Sequence, residues 1–417
     1  MLEVLRNTDF RRLFAAQVVA LVGTGLLTVA LGLLAYDLAG SAAGAVLGTA
    51  LAIKMAAYVV VAPIISAATY RVSQRVLLVG SDAVRATIAV LLPFVDQTWQ
   101  IYLLIFALQA ASATFTPTFQ SVIPNVLVDE QDYTRGLIAS RMAYDLETLL
   151  SPVLAAALLT VLAYNHLFLG TVLGFAMSAV LVLRTALPPK MPQALPESFW
   201  QRTISGGRIM LGRPVLRALL ALNLAVAAAT ALVVVNTVVY VHDVLASSSA
   251  AVAVLLACYG GGSMSVALLL QRLLRRICDR RIMLTGAALI SVTLVTTASL
   301  LRVGPDQTAG WVVFPLAWLA LGVGASLINT PAARLVRYES EPDSRSAVFA
   351  SQFSLSHACF FVTYPLAGWL GVLAGQPAAA AALGALALAA TAAAARIWPV
   401  THQSVTAVQE PQLLYQR

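Results

Sequence analysis

Lys54, Arg141, Asp145 and Glu147 are the side chains of this chain whose types and places could do chemistry, because each falls inside a long apolar stretch. A charge at bilayer depth costs about 2.5–3.5 kcal/mol on insertion scales, so it persists where it is used. Lys54 lies about 18 Å beyond Ala42, where its stretch begins, at ~1.5 Å per helical residue. From there a lysine, which reaches about one helical turn, does not regain an interface. Glu147 sits at matching depth, with Tyr144 and Ser151 on its stripe. Arg141 and Asp145 share another face at i, i+4 spacing and suit a local ion pair. Proton coupling needs a group whose protonation changes as its surroundings alternate. Glu147 is the first candidate and Asp145 the second, with Lys54 as the charge partner; a permanently ionised Glu147 holding Lys54 for helix packing is the bland alternative. His357 is of a type that binds soft metals, and with Asp145 and Glu147 it makes a nickel-type constellation spread over two distant stretches.

Other chemistries find no support. Carboxylate pairs, histidine clusters and a nucleophile elbow are missing at reactive spacing, so no enzyme is expected. The Gly-x-Gly stretches follow no strand and no Walker sequence occurs, which leaves ion gradients rather than ATP as the energy source, and no cofactor. Cys258, Cys278 and Cys359 form no CxxC pair, so neither a disulfide framework nor a zinc knuckle is expected.

The elements that must hold these charges are membrane helices. The chain has 417 residues, 60% hydrophobic and 11% charged, against roughly 25% charged in a soluble domain. Apolar stretches of about 20 residues, long enough to cross ~30 Å of hydrocarbon, fall at 13–36, 42–68, 76–95, 99–124, 136–164 and 166–187. A second set falls at 215–241, 248–271, 282–302, 309–333, 346–373 and 376–398. Between the sets, Pro188, Pro189, Pro192 and Pro196 precede a Ser/Gly/Arg stretch, the credible linker. The expected organisation is a six-helix bundle over 1–187, a cytoplasmic linker over 188–213, a second bundle over 214–398 and a tail over 399–417. The +8 net charge is read as topology rather than nucleic-acid binding. With the N-terminus inside, Arg71, Arg75, Arg135, Lys190, Arg202, Arg208, Arg272, Arg276, Arg334 and Arg345 all fall on inward loops, whereas the outward loops hold Arg302 with Asp37, Asp96, Asp243 and Asp306. A bacterial-type inner membrane with both termini cytoplasmic is expected.

The two halves repeat at an offset of about 206 residues, as repeat-built membrane proteins do. Arg75-Val-Leu-Leu-Val-Gly80 matches Arg281-Ile-Met-Leu-Thr-Gly286, and Asp37 matches Asp243. Thr116-Pro117 and Thr330-Pro331 close the fourth and tenth stretches, and Ser151-Pro152 and Tyr364-Pro365 put a proline inside the following helix. Gly23, Gly25, Gly44, Gly48 and Gly260 to Gly262 are expected to permit close helix approach.

Six plus six stretches, a central polar linker and both termini inside resemble the major facilitator superfamily over nearly the whole chain. Its loop signature between the second and third spans is similar to Ser66-Ala-Ala-Thr-Tyr70-Arg71-Val-Ser-Gln74-Arg75, with Tyr70 where the family has aspartate; the basic residue of the family's fourth span is missing. Asp82-Ala-Val-Arg85-Ala resembles the third span of drug, macrolide and siderophore exporters, and Arg6-Asn-Thr-Asp-Phe10-Arg-Arg-Leu-Phe14 resembles their entry helix. Phe14-Ala-Ala-Gln17 through Gly25, with Tyr144-Asp145-Leu-Glu147, is similar to nickel and cobalt exporters.

The resemblance implies an all-α fold of twelve transmembrane helices in two pseudo-symmetric bundles. It implies a proton-coupled exporter of a small molecule, of drug or siderophore type, working by alternating access, with a divalent metal exporter as the alternative and a membrane scaffold or sensor behind both. It also implies that Gln17, Thr24, Gln109, Thr114, Asn223, Asn236 and Asn329 are positioned to line a central cavity, with Tyr144 and His357 added from the reading above. Arg71, Arg75, Asp82, Arg85 and Arg141 are the candidates for a charge latch between states. The expected partners are substrate, protons and lipid, with no nucleic acid, and the expected state is a monomer.

Overall fold

The computed structural model describes residues 4–57, 72–127, 129–187, 199–273, 277–304, 306–341 and 344–399. Among them the chain is helical. The first half consists of α1 (Thr8–Ala39), α2 (from Ala43), α3 (Gln74–Leu91), α4 (Thr98–Val126), α5 (Glu130–Leu159) and α6 (Asn165–Leu183). A linker helix α7 (Phe199–Gly212) follows. The second half consists of α8 (Pro214–Val244), α9 (Ser249–Leu273), α10 (Asp279–Val303), α11 (Gln307–Glu339), α12 (Arg345–Leu373) and α13 (Gln376–Ile397). Ten described helices are long and apolar enough to cross a membrane. The longest of them, Thr8–Ala56, contains both α1 and α2, joined by a tight turn at Gly40–Ala42. With α5, whose charged first turns lower its mean hydropathy, the architecture is of twelve membrane helices.

Local chemistry sets the helix ends. Asn7 caps α1 by accepting from the Asp9 and Phe10 amides at 3.0 Å, and Ser73 caps α3, each satisfying an amide the first turn leaves without a partner. The fourth and tenth helices pass the Thr-Pro pairs expected to close them and finish a few residues beyond the expected limits of 124 and 333. The helices run on through Pro117 and Pro331, to Val126 and Glu339, because a bundle can tolerate the single amide a proline removes when neighbouring helices accommodate the freed carbonyl. Within the expected linker, Phe199–Gly212 is a helix laid along α12, where a Cβ on Gly206 would meet the Ala347 carbonyl oxygen at 2.0 Å. Arg71 and Lys190, the prolines of the linker and the tail fall outside the described residues.

Small residues bring the helices together, since lipid supplies no hydrophobic drive between them. Gly23 of α1 lies on Gly174 of α6, Gly262 of α9 on Leu319 of α11, and Gly286 of α10 on Gly324 of α11. The halves touch through α2 against α12 and α5 against α9. These two contacts exchange under the expected repeat, in which α2 corresponds to α9 and α5 to α12. Leu103, Phe106, Leu169, Leu173, Leu316 and Leu319 remain exposed on the outside of the bundle, as a lipid-facing surface requires.

The halves are pinned at the end carrying the α1–α2 turn. Tyr36 donates to Asp243 at 2.5 Å and its ring lies 4.2 Å from that of His242. Trp369 donates from Nε1 to Thr49 at 3.0 Å, and a Cβ on Gly368 would come within 2.1 Å of the Gly44 carbonyl oxygen. Beside this contact Tyr164, in the turn before α6, donates to Asp37 at 2.6 Å; burial, with this carboxylate, raises its hydroxyl pKa.

Candidate functional site

Below this pinned end lies a cavity of about 330 Å³ between the halves. From α1 it is lined by Gln17, Thr24 and Thr28, residues one helical face repeats at i, i+7 and i+11. Lys54 enters from α2, Arg85 from α3, Gln109 and Ser112 from α4, and Tyr144 and Glu147 from α5; Val234 of α8 and Tyr364 of α12 close the far side.

The sequence alone did not single out Thr28, Ser112, Phe115 or Tyr364 as lining residues, and it cast Arg85 as a latch rather than a wall of the cavity. Thr28 was within reach of a helical-face reading, one turn beyond Thr24. Tyr364 was flagged only through its neighbour Pro365.

Lys54 and Glu147 share this cavity and lie within electrostatic reach of each other. What holds Glu147 in place is a glycine: a Cβ on Gly25 would lie 2.6 Å from Glu147 Oε1 and 2.1 Å from the Ser151 Cβ. α1 therefore approaches α5 closely enough to press the carboxyl into the cavity wall. His357 of α12 also feels Lys54, while its own Nδ1 lies 2.7 Å from the Phe353 carbonyl oxygen and its ring lies tilted against that of Phe353 at 4.0 Å.

Arg85 is held differently. It pairs with Asp82 one turn earlier on α3, and its guanidinium sits over Phe115 at 4.3 Å and Phe175 at 4.5 Å, both cation–π distances. Asp82 is fully buried and lies close to Ser178 of α6. These partners belong to the first half. Arg75 likewise donates to the Thr185 carbonyl oxygen at 2.7 Å, tying the start of α3 to the end of α6, and Arg280 repeats this in the second half by donating to Ala395 at 3.1 Å and Trp398 at 3.3 Å. The side chains of Arg141 and Asp145 fall outside the described residues.

The hydroxyls of the wall are half spent. Thr24 donates to the Ala20 carbonyl at 2.9 Å, Thr28 to Thr24 at 3.1 Å and Ser112 to Leu108 at 3.0 Å. Such back-bonding satisfies a hydroxyl proton within its own helix, so these three offer the cavity lone pairs. Gln17 is engaged with Ser140, whose hydroxyl donates to it at 2.7 Å. Thr114 bonds Ala110. Asn236 donates to the Ala367 carbonyl at 3.2 Å and to Gln376 at 2.7 Å, which makes it a packing residue in this state. Asn223 is buried and Asn329 exposed, and neither is among the lining residues. Among the described residues no three His, Cys, Asp or Glu side chains gather as a metal site.

The family model described as Major Facilitator Superfamily matches residues 13–300. Macrolide efflux protein A of Streptococcus pyogenes is 26% identical over 184 residues, 43% of this chain and 45% of that protein; the chain thus spans less than half the length of this curated relative. Among solved structures, a mutant of the nucleoside transporter NupG superimposes with a TM-score of 0.72 at 14% identity, covering 94% of this chain and 100% of that one. A bacterial homolog of the human lysosomal transporter Spinster, in an inward-facing and unoccupied conformation, gives 0.72 at 12% identity, covering 95% and 99%. At these identities the likeness to the solved structures shows the fold.

Proposed function

The chain belongs to the major facilitator superfamily, a multi-pass membrane transporter, and from that premise we propose that it is a proton-coupled exporter of a small molecule, with Glu147 as the proton-exchanging group and Lys54 as its charge partner. The observation that carries this reading is the joint placement of these two residues in the cavity between the halves. An ammonium at mid-depth needs a negative partner. When Glu147 takes a proton that partnership is lost, and the relative stability of the two access states changes with it. Alternating access through rocking of the halves then converts the proton gradient into substrate movement.

Export as the direction rests on the similarity to macrolide efflux protein A. The loop charges favour an inner-membrane orientation with both termini cytoplasmic. In that orientation the end pinned by Tyr36, Asp243, Thr49 and Trp369 faces outward, which supports reading the chain as a monomeric carrier closed on its outer side.

The test uses inside-out membrane vesicles energised to acidify their interior, with a pH-sensitive dye. Macrolides, siderophores and nickel are added in turn. A transported compound draws protons out and restores fluorescence in expressing vesicles, and Glu147→Gln removes the response. A response of normal size in Glu147→Gln would refute the coupling role.

A further inference from the structure

The described lining residues carry three charges, and one is already answered. Arg85 is neutralised by Asp82 and clamped between Phe115 and Phe175, which leaves Lys54 and Glu147 facing the cavity. From this arrangement we propose that the transported molecule is a small zwitterion, its carboxylate at Lys54 and its ammonium at Glu147, with an apolar body against Phe115, Val234 and Tyr364. This rests on the exporter reading and adds the substrate class.

The argument is one of charge balance at membrane depth. With Glu147 ionised, the pair sums to zero. A molecule bearing one charge leaves either Lys54 or Glu147 with a like-charged neighbour and no partner, and an unpartnered charge away from water is expensive. A zwitterion inserted between the two gives each of these charges a direct partner.

The wall agrees independently. Thr24, Thr28 and Ser112 have spent their protons on their own helices, so they present acceptors, which suit the N–H groups of an ammonium. At about 330 Å³ the cavity lies at the small end of the roughly 300–1,000 Å³ usual for ligand sites.

Competition with the proton follows from the same geometry. A protonated Glu147 no longer attracts the ammonium, so substrate and proton exclude one another, as antiport requires. The substrate-loaded cavity is neutral and the proton-loaded cavity carries one positive charge, which makes one-for-one exchange electrogenic. Among the described residues, the titratable and charged groups facing Glu147 are Lys54 on α2, Arg85 on α3, Tyr144 on its own helix and Tyr364 on α12, with His357 of α12 in reach of Lys54.

The experiment is calorimetric binding to the purified full-length protein, without any gradient, using two matched trios of probes. The first trio is phenylalanine, phenethylamine and 3-phenylpropionate; the second, whose flexible chain spans a range of charge separations, is 8-aminooctanoate, octylamine and octanoate. In at least one trio the zwitterion is expected to bind tenfold or more tighter than either singly charged member at pH 8. Lys54→Met shifts the preference to the amine and Glu147→Gln shifts it to the acid, exchanges of selectivity that a loss of folding cannot imitate. Lowering the pH to 5.5 weakens zwitterion binding and strengthens binding of the acid in the unaltered protein. If a singly charged member binds as well as the zwitterion in both trios, or if no probe binds, the substrate class is wrong, whatever the proton-flux assay shows. Zwitterion selectivity that depends on both residues yet is unchanged between pH 8 and 5.5 would keep the substrate class and overturn the coupling role of Glu147.

Discussion

The two halves share a scaffold but divide its work unevenly. The first half supplies Gln17, Thr24, Thr28, Lys54, Arg85, Gln109, Ser112, Tyr144 and Glu147 to the cavity, whereas the second supplies Val234 and Tyr364 among the described lining residues. Polar groups of the second half are turned to packing instead: Trp318 donates to Thr237 at 2.8 Å, its ring meets Tyr240 and Phe314 edge-on or nearly so, and Asn236 bonds α12 and α13. Among the described residues, the first half thus supplies the polar wall of the cavity and the second half supplies mainly packing. α8 carries a mark of this: it contains two π-helical turns, Leu232–Asn236 and Tyr240–Val244, the first beside the cavity at Val234. Wide turns of this kind are common at functional sites.

If that division holds, substitutions in the two halves should fail in different ways. The largest effect is expected from Lys54→Met and Glu147→Gln, each removing coupled transport while insertion and expression persist; vesicle proton flux and immunoblotting of membranes check both. Almost as large is Gly25→Ala, because its methyl would strike Ser151 and displace Glu147; transport should fall at least tenfold, and Gly25→Ser no less.

Breaking the Asp82–Arg85 pair comes next. With Asp82→Ala, a buried guanidinium loses its carboxylate, at a cost of about 3–5 kcal/mol, so the thermal unfolding midpoint in detergent should drop well before any change in substrate preference. In the second half, Asn236→Ala should cost only about 1 kcal/mol, the scale of a hydrogen bond lost between membrane helices, and leave pH dependence alone. Gly368→Val sharpens the comparison from the interface side. It forces α12 off α2 at the pinned end, so a cysteine placed at Thr28 should become several-fold more reactive to an impermeant thiol reagent applied from outside.

Much of this was legible in the residues. Long apolar stretches with positions such as Lys54 and Glu147 left charged mark a membrane bundle with an internal site, because hydrocarbon penalises charge so steeply that its presence is informative. The apolar stretches ending at 124 and 333 marked the reach of α4 and α11 better than the prolines at 117 and 331, since the helices carry through them; local propensity lost to the bundle. The charged first turns of α5 hid its start for a related reason, as hydropathy reports on lipid contact and not on helix. Asn236 and Asn329 show the limit for site residues. An amide in a membrane helix serves equally in packing or in binding, and only the neighbours decide, here Ala367 and Gln376 for Asn236. The sandwich around Arg85 brings together residues of α3, α4 and α6, a long-range coincidence that no spacing along the chain encodes.

The central claim is that Glu147 carries the proton and Lys54 answers its charge. Its most direct test is to reconstitute the protein, its Glu147→Gln variant and the Lys54→Met, Glu147→Gln double variant with a compound identified in the vesicle screen, and to measure substrate counterflow beside proton-driven uptake between pH 6 and 8. The account predicts that Glu147→Gln keeps counterflow once substrate is raised to offset its weakened binding, loses proton-driven uptake and becomes insensitive to pH, and that the double variant recovers no coupling. Proton-driven uptake in Glu147→Gln with the unaltered protein's rate and pH dependence would contradict it.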